Sequence, residues 1–126
     1  MAIRFSTTEN GDVAVIQIQG RLQAFAEAAE LLQLVTEQLD RGQVKIALDM
    51  SLVSYIDSVG VGTLVTANVR VMNKGGNLVI AAPAPRVRDL LQVVAKLNTV
   101  IPMYASVQDA MEALRKYKPR RVGGTP

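Results

Sequence analysis

The apolar residues of this chain switch repeatedly between two spacings, and the order of those switches limits the fold more than any single residue does. Asn10-Gly11 stands between two alternating segments, residues 3–8 and 12–19, which is the short-range signature of a β-hairpin. Over residues 25–41 the period lengthens: Ala28, Leu31, Leu32, Val35 and Leu39 recur at helical spacing, with Glu27, Glu30, Gln33, Glu37 and Gln38 on the other side. Gly42 follows the last turn, where glycine commonly ends a helix. Residues 44–48 read as a third strand, apolar enough for a sheet interior. Residues 49–56 then connect to a second helix at 58–73, with Val61, Leu64, Val65, Val69 and Met72 as its buried stripe. Gly75-Gly76 closes it, and residues 78–81 form a fourth strand. Pro85 opens a third helix with Val87, Leu90, Leu91 and Val94 inward, and Pro102 marks residues 101–104 as a brief edge strand. Ser106 and Asp109 make a capping box that opens a last helix through Arg115. The expectation is an α/β single domain. Its mixed sheet has four to five strands, an N-terminal hairpin followed by parallel crossovers, with about four helices mainly on one face.

Composition narrows what such a domain does. The chain has 126 residues, 49% of them apolar, enough to close one core. No apolar run approaches the roughly 18–20 residues that cross a bilayer. The first residues lack the basic-then-apolar layout of a secretion signal. There is no cysteine, hence no disulfide framework, and a soluble cytoplasmic protein is expected. Histidine is absent as well, which excludes a Ser-His-Asp system and leaves zinc without its usual ligands. An enzyme is not expected.

The net charge of +3 invites a nucleic-acid reading that position weakens. Arg115, Lys116, Lys118, Arg120 and Arg121 supply five of the fourteen basic residues, so residues 1–114 carry nine basic against eleven acidic groups. A folded domain over 1–116 followed by a basic, flexible tail at 117–126 is the expected layout, with no direct nucleic-acid partner.

Asp57-Ser58-Val59-Gly60-Val61-Gly62 carries the chemistry. It falls where strand and loop give way to helix, beyond the carboxyl end of a strand, where function tends to gather in such sheets. Asp57 is placed to cap the second helix. Ser58 lies in the first turn, where a phosphate would add roughly −1.5 to −2 charges to a contact surface. Gly62 inside a helix costs roughly 1 kcal/mol against alanine, which suits close approach either by a partner's backbone or by the chain's own loop. Asp49 and Asp57 are near enough in sequence to be read as a magnesium pair, and a weak nucleotide-binding protein is the corresponding alternative. No Gly-Lys phosphate loop accompanies them, and Gly60-Val61-Gly62 is not a dinucleotide fingerprint, because position 65 is valine.

These residues resemble the STAS-domain family, and within it the stand-alone bacterial anti-sigma factor antagonists. The resemblance is carried by Ala47-Leu48-Asp49-Met50-Ser51, by Tyr55-Ile56-Asp57-Ser58-Val59-Gly60-Val61-Gly62, by residues 75–81 and by residues 101–106. It implies that Ser58 is the serine phosphorylated by an anti-sigma factor kinase and that Asp57 flanks it. Val59, Gly62, Thr63, Thr66 and Arg70 fall largely on the helix face opposite the apolar stripe, and the partner contact is expected on Asp57, Val59, Gly60, Gly62, Thr63, Thr66 and the turn containing Gln23. The resemblance also implies that the unphosphorylated form binds the kinase and releases a sigma factor, that a metal-dependent serine phosphatase restores that form, and that the domain needs no cofactor. Gly20-Arg21-Leu22-Gln23 departs from the family's Gly-x-Leu-Asp turn, so Gln23 bears on which kinase is recognised. Two alternatives have the same fold: a STAS subunit of a stress-signalling scaffold, or of a membrane lipid transporter. A homo-oligomer is compatible with all of these.

Overall fold

The computed structural model describes residues 3–119. Five strands, β1 (Arg4–Asn10), β2 (Val13–Leu22), β3 (Lys45–Ile56), β4 (Asn77–Ala81) and β5 (Met103–Tyr104), lie side by side in chain order. The β1–β2 hairpin is antiparallel and turns at Gly11, whose φ of 63° a side chain would resist. The remaining pairs are parallel, each joined by a helical crossover. The helices are α1 (Phe25–Asp40), α2 (Ser58–Asn73), α3 (Pro85–Asp89) and α4 (Val107–Lys116). Alternation along the strands divides the core. Ala14, Ile16 and Ile18 of β2 join Leu31, Leu64 and Leu91 of the first three helical segments on one face. Val13, Val15, Ala47 and Val79 point the other way, to Ala110 and Leu114 of α4. No helix among the described residues is long and apolar enough to cross a membrane.

Several elements differ from their sequence reading, each for a local reason. β3 runs on through residues 49–56, which read as a connection. Two register shifts against β2, between Gln17 and Gln19 and between Gly20 and Arg21, each insert an extra residue into β3. Met50, Val53 and Ile56 are thereby all buried at a spacing of three, which no alternating pattern reveals. Asp49 consequently sits within the strand, where its carboxylate accepts from Gln17 Nε2 at 3.2 Å and the Ser51 N–H at 3.0 Å.

The α2 stripe is rotated. Its buried residues are Gly60, Thr63, Leu64, Ala67, Asn68 and Val71, whereas Val65, Val69 and Met72 are 37%, 49% and 45% exposed. Gly60 fixes this rotation, because a Cβ there would collide with the Leu22 carbonyl oxygen and lie 2.6 Å from Ile56 Cγ1. Val94 is 76% exposed, not inward. The chain leaves α3 through a π-helical turn, Leu90–Val94, whose wider loop carries Leu91 into the core and swings Val93 and Val94 to the surface. Gln38, placed on the outer side of α1, is buried. The expected caps are present: Ser106 Oγ accepts from the Asp109 N–H at 3.0 Å. Tyr117, the first residue of the expected tail, is fastened to the domain, its hydroxyl 3.1 Å from the carbonyl oxygens of both Gly75 and Gly76. Residues 120–126, the rest of that tail, lie outside the described residues.

Candidate functional site at the mouth of helix α2

β3 ends at Ile56 and α2 begins two residues later, so Asp57 makes the corner by itself. Its extended backbone and its side chain cap the helix: Oδ1 accepts from the Gly60 N–H at 2.9 Å, and its carbonyl accepts from the Val61 N–H at 2.9 Å. The carboxylate is thus occupied with the helix end, and its position fixes that of the next residue. Ser58 is the first residue of α2 and is exposed. No acidic side chain stands in the first turn, so the positive end of the helix dipole faces the serine with Asp57 as its only nearby helix-cap charge.

Two grooves flank Ser58. One, of 470 Å³, runs between α1 and α2 and is lined by Phe25, Ala28, Ala29, Leu32, Ser58, Val59, Gly62, Thr63 and Thr66. The other, of 420 Å³, lies between α2 and the π-turn and is lined by Tyr55, Ile56, Asp57, Ser58, Val61, Leu90, Val94 and Ala95. Ser58 is common to both, so a group added to its hydroxyl stands on the ridge between two mostly apolar depressions.

The residues grouped by sequence separate into different roles. Val59, Gly62 and Thr66 are brought together on the α1-facing groove. Thr63 reaches the same groove but is only 5% exposed, and its hydroxyl donates to the Val59 carbonyl at 2.7 Å. Gly60 is buried against Leu22 and Ile56, which makes it a packing position with no surface to offer a partner. Gly62 is the reverse: beyond its own helix backbone nothing among the described residues lies within 4 Å of where its Cβ would be, so packing does not require glycine there. Gln23 lies in the turn before α1, half-buried, and lines neither groove. Asp49 and Asp57 are not brought together, since Asp49 shares the α4 face of the sheet with Ala47 while Asp57 caps a helix on the opposite face. Among the described residues no three acidic side chains cluster as a metal site would require.

Sequence reading missed the flanks. Phe25 is 81% exposed at the start of α1, behind Ala24, whose φ of 70° and ψ of 152° are strained for a residue with a side chain. Tyr55, also exposed, carries the Arg21 guanidinium 4.6 Å above its ring. An exposed aromatic at the first position of an amphipathic helix was the available signal for Phe25. Val94 gave none, because its exposure depends on the π-turn.

The STAS-domain family model matches residues 4–110, nearly all of the described chain. This chain belongs to the STAS-domain family. The STAS domain here is 28% identical over 102 residues to BtrV of Bordetella bronchiseptica, provisionally named an anti-sigma factor antagonist, covering 79% of this chain and 87% of that one. A crystal structure of a Thermotoga maritima protein, with the same provisional name, superposes with a TM-score of 0.80 at 26% identity and covers 89% of this chain and 95% of that one. The Bacillus cell-fate determinant SpoIIAA, solved in its phosphorylated form, aligns with a TM-score of 0.68 at 20% identity over 89% of this chain and all of its own, a likeness of fold alone. The hairpin, the parallel crossovers and the helix that starts at Ser58 are therefore parts of a STAS domain, and the two grooves are features of its α1–α3 face.

Proposed function

We propose that this STAS domain is an anti-sigma factor antagonist whose partner binding is switched by phosphorylation of Ser58. The unphosphorylated form binds an anti-sigma factor that is a serine kinase and displaces a sigma factor from it. The single observation that supports this most is the exposed Ser58 hydroxyl at the N-terminus of α2, shared by two apolar grooves. Sequence kinship with proteins named as antagonists supports the same reading.

The switch follows from charge. The serine oxygen attacks the γ-phosphorus of ATP, ADP leaves, and the hydroxyl proton passes to a base of the kinase. The product carries roughly −1.5 to −2 charges at neutral pH. On a ridge between apolar grooves that charge must be desolvated to dock, and a partner carboxylate nearby repels it. Within the domain it is tolerated, because it sits at the positive end of a helix. Docking is vetoed and the fold is unchanged. A metal-dependent serine phosphatase resets the state, and this chain performs no catalysis of its own.

Incubation with the cognate kinase and ATP tests the site: peptide mass mapping is expected to find one phosphate, on Ser58, and none in Ser58→Ala. A phosphate mapped to Ser54 or Thr63 overturns the assignment. Ser54 Oγ already donates to the Gly20 carbonyl at 3.3 Å and the Thr63 hydroxyl is buried, so both are poorer acceptors.

A further inference from the structure

At the end of the sheet opposite Ser58 the chain gathers positive charge from three separate segments. Lys45 Nζ donates to the Arg115 carbonyl at 3.4 Å, which seats the end of α4 over the start of β3. The Tyr117 hydroxyl, held by the carbonyls of Gly75 and Gly76, draws the next residues against the turn that follows α2. Lys116 and Lys118 therefore flank an anchor set beside Lys74. Two other cations of this pole are neutralised, Arg41 by Glu9 at 2.9 Å and Lys45 by Asp12 at 2.8 Å. Arg70, Lys74, Arg115, Lys116 and Lys118 are exposed and have no ion-pair partner among the described residues. Against these five stand three nearby carboxylates: Asp40 in the groove with Arg70 and Lys74, Glu112 one turn before Lys116, and Asp12, which is paired with Lys45 and also feels the Arg115 charge. The sequence then adds Arg120 and Arg121. Complementing helix dipoles accounts for a cation in the last turn of α2 and of α4, but not for Lys118 and the arginines beyond it.

We propose that this pole docks reversibly on an anionic lipid bilayer. The cations come from the ends of two helices and the segment after them, so they form an end-on patch suited to a planar anionic surface. They are not a row along one helix of the kind that tracks a nucleic-acid groove. Tyr117, the aromatic ring among the described residues of the patch, is half-buried with its hydroxyl tied to the backbone, a poor platform for stacking on a base. Val69 and Met72 are half-exposed beside Arg70 and Lys74, but neither projects a large apolar anchor, so attachment is mainly electrostatic and weak, and it fades with salt. Along α2, Ser58 stands about 18 Å from Arg70 and about 24 Å from Lys74, two to three Debye lengths at physiological salt, so a docked molecule keeps its switch in solution.

Co-sedimentation of the full chain with phosphatidylcholine vesicles containing about 30% phosphatidylglycerol, at roughly 0.02 M salt, tests this. Binding to these vesicles, its absence with phosphatidylcholine alone and its loss by roughly 0.15 M salt are expected. Each of Lys74→Gln, Lys116→Gln and Lys118→Gln is expected to weaken binding by about five-fold, and the triple variant by about a hundred-fold. Ser58→Asp is expected to bind the vesicles within about two-fold of the parent. Equal binding to neutral vesicles, no binding to anionic ones, a triple variant that binds like the parent, or tighter binding to a DNA duplex than to the anionic vesicles would each overturn the proposal.

Discussion

Two glycines two residues apart do opposite work in α2, and they can be separated by the same substitution. Gly60→Ala forces a methyl group into the Leu22 carbonyl and Ile56, and is expected to destabilise the domain by about 1–3 kcal/mol in urea unfolding. Gly62→Ala meets open space and removes a helix-interior glycine, so it should stabilise by about 1 kcal/mol. If the α1-facing groove receives the partner's backbone, the same stabilising change weakens partner binding. At this scale the sequence was informative about Asp57, whose capping geometry matches its spacing from Gly60. It left the two glycines ambiguous, because close approach by self and by a partner leave the same residue type behind.

At the scale of elements, α2 shows why hydrophobic periodicity fell short. Val65, Val69 and Met72 are as apolar as a core stripe, yet the helix turns them outward, because Gly60, Ala67 and Val71 let it lie close on the sheet. Val65→Thr and Val69→Thr should each change stability by less than about 0.5 kcal/mol, while Leu64→Ala should cost about 2–5 kcal/mol, both read from denaturant midpoints. A stripe facing inward as the spacing suggested would reverse that order. β3 was truncated in the sequence reading because two bulges replace alternation by a spacing of three. The hairpin, α1, β4 and the cap of α4 were legible, since each is set by local turn or cap chemistry and a regular period. The π-turn was not, as nothing in Leu90–Val94 distinguishes it from an ordinary helical turn.

Across the whole molecule the two ends of the parallel strands have divided labour. One end presents Ser58 and the grooves; the other is tied by Lys45, which is 8% exposed at its side chain and joins the hairpin turn at Asp12 to the end of α4. The hydrogen bond from the Lys45 ammonium holds the Asp12 carboxyl below its ordinary value of 3.8, with the Lys45 and Arg115 charges adding to it. A carboxyl lowered on folding stabilises the native state above its unfolded pKa and loses that contribution as pH falls through the folded value. Asp12→Asn should therefore be less stable than the parent near neutrality. The gap between the two should close as pH drops below about 3.8, followed by thermal melting across pH. A gap unchanged down to strongly acidic pH would mean that the pair contributes nothing. The central claim belongs to the other pole, and calorimetric titration of the anti-sigma partner with this domain, before and after stoichiometric phosphorylation of Ser58, tests it most directly. The account predicts an affinity about a hundred-fold or more weaker after phosphorylation, with the melting temperature of the domain nearly unchanged. Equal affinity in the two states, or a loss of binding that accompanies unfolding, would contradict it.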